Sequence, residues 1–199
     1  MARILSYVLH PVFMPVFGLV ILLNSGTYIS ILNKDLIKVT YMIVGTFTIV
    51  LPLGLLPVYM YLKMIKNIQM NERRERLFPY LITFISFYVA HILIKKLLEN
   101  SFISAFLFSA VMTVLVLLII SYFWKISSHM AGIGGLIGLI LSLTFSLKTD
   151  LMYYLIIVVF LSGLLGTSRM KLNAHNLAQI YGGFFVGMIT VFSICLVYS

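Results

Sequence analysis

Seven apolar stretches, each close to the length needed to cross a bilayer, occupy most of this chain. They lie at residues 4–23, 39–62, 79–94, 102–123, 130–147, 151–165 and 177–197. About 20 apolar residues in a helix cover the hydrocarbon layer, with a range of about 17 to 25. The third and sixth stretches are the shortest and predict spans with little tilt. Hydrophobic residues are 62% of the 199 positions and charged ones 10%, with a mean hydropathy of +1.12. A soluble domain of this size needs more charge to cover its surface, so the apolar surface must face lipid. The expected fold is all-α: a polytopic transmembrane helix bundle of about six to seven spans. No polar stretch is long enough for a second folded unit, so residues 1–199 form one transmembrane domain. The first stretch lacks a small-x-small cleavage site and reads as a retained span.

Fourteen Lys and Arg against five Asp and Glu give a net charge of +9. The cations lie between the apolar stretches, where they ordinarily set membrane orientation or touch lipid head groups. The bilayer is therefore the expected partner, and nucleic acid is not. The single cysteine, Cys195, has no intramolecular disulfide partner and says nothing about compartment. Pro11 and Pro15, and Pro52 and Pro57, predict kinks in the first two spans, tolerated where neighbours satisfy the freed carbonyls. Gly132, Gly134, Gly135 and Gly138 predict close approach of the fifth span to another helix.

Counting spans places the polar residues. The clusters at 73–76, 125–129 and 169–175 are separated by two spans each, so helices of alternating direction bring all three to one membrane face. Polar clusters converging at one end of a hydrophobic bundle mark a site. Ser128 stands where it could cap the fifth span, leaving free amides that attract an anion. His175 and Gln179, four apart, share a helix face, and Arg169 can fold back toward them. Two histidines with several cations and almost no carboxylate suit a phosphate ester. Metal binding would want further ligands. His10 and His91 lie inside spans and read as buried, hydrogen-bonded residues.

These residues resemble the signatures of the type 2 phosphatidic acid phosphatase family of membrane lipid phosphatases: Lys-x6-Arg-Pro, Pro-Ser-Gly-His and Ser-Arg-x5-His-x3-Asp. Ser168-Arg169, five residues, His175, three residues and Gln179 reproduce the spacing of the third. Ile126-Ser127-Ser128-His129 is an altered form of the second. Lys66 and Arg73 have the spacing of the first, with Arg74 in place of proline; alternatively Arg73 and Arg76 lead to Pro79. The similarity covers residues 66 to the end, which makes 1–62 two added spans and 63–199 a phosphatase-like core.

The resemblance implies that His175 attacks phosphorus and becomes a phosphohistidine, and that His129 protonates the leaving lipid oxygen. Arg169, Ser128 and an arginine from 73–76 would hold the phosphoryl oxygens, with Ser168, Lys66 and Lys125 as further candidates. It implies no cofactor and no metal. Gln179 replaces the family's aspartate: its oxygen can accept the histidine's hydrogen bond but brings no negative charge.

Two functions follow. One is hydrolysis of a phosphate or pyrophosphate on a phospholipid or polyprenyl substrate. The other is non-catalytic binding or transport of such a lipid, motivated by Gln179. A channel ranks last, because the spans lack the repeated polar faces that line a pore. The expected location is the bacterial inner membrane. By span parity nine of the 14 cations share the site face, but several would be phosphate ligands, so the sidedness of the site and the oligomeric state stay open.

Overall fold

A computed structural model of the protein describes residues 1–65, 70, 74–98 and 102–198, with the Arg74 side chain excepted. All described secondary structure is helical. Seven helical segments are long and apolar enough to span a membrane.

The first segment, Ala2–Leu23, is broken. Helix α1 (Ala2–Val8) ends before His10, a 3₁₀ turn covers Pro11–Phe13, and α2 (Met14–Leu23) completes the crossing. Pro11 is the cause, since it has no N–H and its ring disfavours a helical residue before it. His10 accordingly takes extended angles, φ −68° and ψ 140°.

The second segment comprises α3 (Lys34–Gly45), a π turn at Thr46–Val50, α4 (Leu51–Gly54) and α5 (Leu56–Tyr61). In a π turn the Phe47 carbonyl would accept from residue 52, which is proline. The Ser86 hydroxyl from the third span donates to that carbonyl instead. The expected kinks are therefore present, and here a neighbour does satisfy a freed carbonyl.

The remaining spans are α6 (Leu77–Leu98), α7 (Phe102–Phe123), α8 (Ser128–Leu147), α9 (Met152–Lys171) and α10 (Leu177–Val197). Two sequence boundaries need correction. Helix α6 runs 22 residues and α9 runs 20, both longer than their apolar stretches. Each carries a cationic pair in its last turn, Lys95 with Lys96 and Arg169 with Lys171. Such side chains favour a helix C-terminus and can reach the interface while their backbone stays helical.

Helix α8 is the central element: 67% of its most apolar window is buried, against 28% for α9 and α10. Its seam with α10 is built from small residues. A side chain on Gly134 or Gly138 would strike the backbone carbonyls of Phe184 or Met188, and one on Gly183 or Gly187 those of Ser127 or Ala131. Glycines spaced by four on both helices let the backbones touch, the way helices associate where lipid removes the hydrophobic drive. Outer helices expose Tyr153, Phe160 and Ile189, as a surface facing lipid requires. The first two spans are not an appendage. Leu19, Leu22 and Val44 belong to the same buried cluster as Ile133, Leu139 and Ile140 of α8.

Candidate active site

The turn between α9 and α10 brings Arg169 and His175 together. Asn173 adopts the left-handed conformation, φ 51°. The Ala174 amide then donates to the Arg169 carbonyl at 3.1 Å, and the Asn173 amide to that of Met170 at 2.8 Å. This is a Schellman ending, and asparagine is the residue after glycine that most readily supplies it. The chain reverses within the five residues 172–176 and enters α10 through a reciprocal cap. The Asn176 side chain accepts from the Gln179 amide at 3.0 Å, while Gln179 Oε1 accepts from the Asn176 amide at 3.3 Å.

That cap fixes the protonation of His175. The Asn176 amide can only donate, so the Gln179 atom facing it is an oxygen. The same oxygen lies 3.0 Å from His175 Nδ1; Nδ1 therefore carries the proton and donates, and Nε2 keeps its lone pair. His175 is buried. Burial, the largest cause, lowers its pKa from 6.5 to about 4, and Arg76 lowers it next. The Gln179 bond opposes the shift, while Arg169 and Lys125 add to it. At neutral pH the ring is thus an uncharged base with a free Nε2.

The three polar clusters are tied to each other. Arg76 Nη1 donates to the Ile126 carbonyl at 3.2 Å and Arg76 Nε to that of Met70 at 3.0 Å. The Ser127 amide donates to the Gln179 carbonyl at 3.2 Å. Arg76, Ser128, His129, Arg169 and His175 line one cavity. Arg169 Nε is buried and has no hydrogen-bond partner among the described residues. An unpaired guanidinium N–H beside a second arginine is a demand for an anion.

His129 is oriented by the break in the first span. Because Pro11 cannot donate to the Tyr7 carbonyl, the His10 amide bonds there at 3.3 Å, three residues back instead of four. The Ser6 carbonyl, its ordinary helical partner, is left open. His129 Nε2 lies 3.1 Å from that carbonyl, so Nε2–H donates and Nδ1 holds the lone pair. The His10 ring sits edge-on to His129, with centroids 5.2 Å apart.

Other sequence expectations need correction or qualification. Ser127, not Ser128, occupies the N-cap of α8 and makes no side-chain cap bond; Ser128 is the first helical residue. Ser168 does not line the cavity, because its hydroxyl donates to the Leu164 carbonyl of its own helix at 2.7 Å. Lys125 sits half-buried outside the lining. Burial first, then Arg76 and Arg169, lower its pKa. Lys66 and Arg73 lie outside the described residues. Among the described residues no three His, Cys, Asp or Glu side chains gather to hold a metal.

His91 bonds the Ser104 carbonyl at 3.1 Å away from the cavity, as a structural histidine. His10 is hydrogen-bonded too, its Nδ1 accepting from the Val12 amide at 3.5 Å, but it also lines the cavity. Its signal was His10-Pro11 itself, a histidine at a forced helix break.

No family model, curated protein or solved structure matches the chain. Fold and cavity define a class: a helical polytopic membrane protein whose polar end sets histidines and arginines over an apolar chamber.

Proposed function

We propose that the protein is a membrane phosphohydrolase acting on a lipid-linked phosphate through a phosphohistidine at His175. The observation that carries this reading is the tautomer of His175, with a bare Nε2 in a cavity that also holds Arg76 and Arg169. Nε2 attacks phosphorus, the bond from phosphorus to the lipid oxygen breaks, and the leaving oxygen takes a proton. His129, whose Nε2–H is engaged with Ser6, takes the proton of the monoanionic ester on its Nδ1 lone pair and passes it to that oxygen. Neutral His129 then accepts a proton from the water that cleaves the phosphohistidine, and inorganic phosphate departs. Arg76, Arg169 and the amide end of α8 face the charge that develops on the phosphoryl oxygens. The apolar lining below these groups favours a lipid ester over a soluble one. A bacterial inner membrane is the location we assign with this function.

Gln179 supports a second reading, a lipid-phosphate binder, since it orients His175 without stabilising its positive charge. One experiment separates them. Purified protein mixed with a long-chain alkyl phosphate and quenched in alkali should yield a phosphorylated peptide spanning His175. Tight binding of the lipid with neither phosphate release nor a labelled histidine would favour the binder.

A further inference from the structure

The cavity does not stop at the polar groups. Helix α7 contributes Phe106, Ala110, Thr113, Val114 and Leu117 to its wall, a spacing of four, three, one and three that defines one helix face. Helix α7 reaches the polar end at its C-terminus, where Trp124–Ser127 lead into α8. Each step back along this stripe therefore goes deeper. From Leu117 to Phe106 the wall descends about 16 Å at the rise of an α-helix.

Phe106 is the innermost lining residue of this stripe. It is 2% exposed, and its ring fills the space that a side chain on Gly18 of α2 would occupy. A large residue against glycine is a fixed plug: the ring cannot swing aside without giving up its seat on α2. Above it Ala110 and Thr113 are small, so the bore is open between the plug and the cations. Pro52 and Leu56 of the second span close the opposite side.

The geometry points to a chain-length gauge: the chamber takes one alkyl or isoprenyl tail of the phosphate ester, and Phe106 seated on Gly18 sets the longest tail that fits. The occupant is fixed by charge: among the described lining residues Arg76, Arg169 and His175 gather at the polar end, and a tail entering there must be attached to an anion. A tail longer than the bore has to fold back or leave its last carbons outside, and both weaken binding. A shorter one leaves apolar wall uncovered. The inference rests on the lipid-phosphate reading and adds the class of substrate: single-tailed esters ranked by length.

The test uses the full-length protein in nanodiscs with n-alkyl phosphates from octyl to octadecyl, scored by kcat/KM for phosphate release. Matching alkylphosphonates, which cannot be hydrolysed, are scored in parallel by binding. The wild type should show a length optimum in both. Phe106→Ala should shift that optimum to longer tails, raising the preference for octadecyl over decyl by about tenfold or more, and Ala110→Phe should shift it to shorter tails by a similar factor. Phe106→Leu, which keeps most of the packing, should give a smaller shift in the direction of Phe106→Ala if the alanine variant does not fold. Length profiles that are flat, that overlay for all variants, or that move the same way in Phe106→Ala and Ala110→Phe would overturn the gauge. Binding with the predicted length order but no phosphate release would instead overturn the hydrolytic reading and leave the gauge standing.

Discussion

Phosphate release is expected to fall by on the order of 10⁴- to 10⁶-fold in His175→Ala, the range spanned when single members of a serine protease triad are removed. The reason is local. Nε2 is the only ring atom free to attack, because Nδ1–H is held by Gln179 Oε1. The substitution leaves the surrounding backbone its partners, since Gln179 still accepts from the Asn176 amide and Asn176 from the Gln179 amide. The Schellman turn at Asn173 uses only main-chain groups. Helix α10 should therefore start where it does in the wild type, and the loss should be chemical. The measurement is initial-rate phosphate release, with thermal unfolding of both proteins as the control. A variant that folds normally and keeps turnover within tenfold of the wild type would remove His175 from the reaction.

Gln179→Glu is expected to act in the opposite direction, raising turnover by on the order of 10² to 10⁴. The analogous carboxylate-to-amide change in the serine protease triad costs about 10⁴. Part of that loss is a wrong tautomer, which Gln179 avoids, so the gain here should fall below the full factor. Glutamate keeps the reach of glutamine and is equally at home in the helix cap. Its carboxylate would accept from both Nδ1–H and the Asn176 amide while adding the charge that a positive ring requires. The same change moves the pH profile. In the wild type the pKa of His175 is lowered to about 4, by burial and then by Arg76. His175 loses nucleophilicity only as pH falls through that value. An adjacent carboxylate stabilises the protonated ring and raises the pKa. The acid limb of kcat/KM should therefore lie at higher pH in the variant. A rate gain with an unmoved acid limb would show that the carboxylate acts elsewhere than on His175.

The span architecture was legible because it depends on coarse physics. A run of about 20 apolar residues has few alternatives to a membrane helix, and alternating direction brings Arg76, 125–129 and 169–175 to one end. What composition concealed were the helix ends. The apolar stretches stop at Ile94, before Lys95, and at Leu165, before Gly166, whereas the helices run on through Lys95, Lys96, Arg169 and Lys171.

Within the candidate site, sequence spacing located His129, Arg169 and His175, which share the cavity, but not the side chains that orient them. The Ser6 carbonyl reaches His129 only because Pro11 shifts the hydrogen-bond register of the first span, a consequence of tertiary packing across 123 positions. His10 was read only as a buried, hydrogen-bonded residue; the break at His10-Pro11 was its one local sign, and its place on the cavity wall comes from tertiary packing. Ser168 shows the converse error. Its position in a motif implied a ligand, yet a serine inside a helix can bond back to the carbonyl four residues earlier, and this one does.

The central claim is that Arg76, Arg169 and His175 surround a single phosphoryl group. A structure of the protein with bound tungstate tests it most directly. The account predicts one oxyanion at the mouth of the chamber, accepting hydrogen bonds from Arg169 and Arg76, with His175 Nε2 facing the metal atom of the anion. Tungstate bound only at other surfaces, with the Arg169 guanidinium turned away from His175, would contradict it.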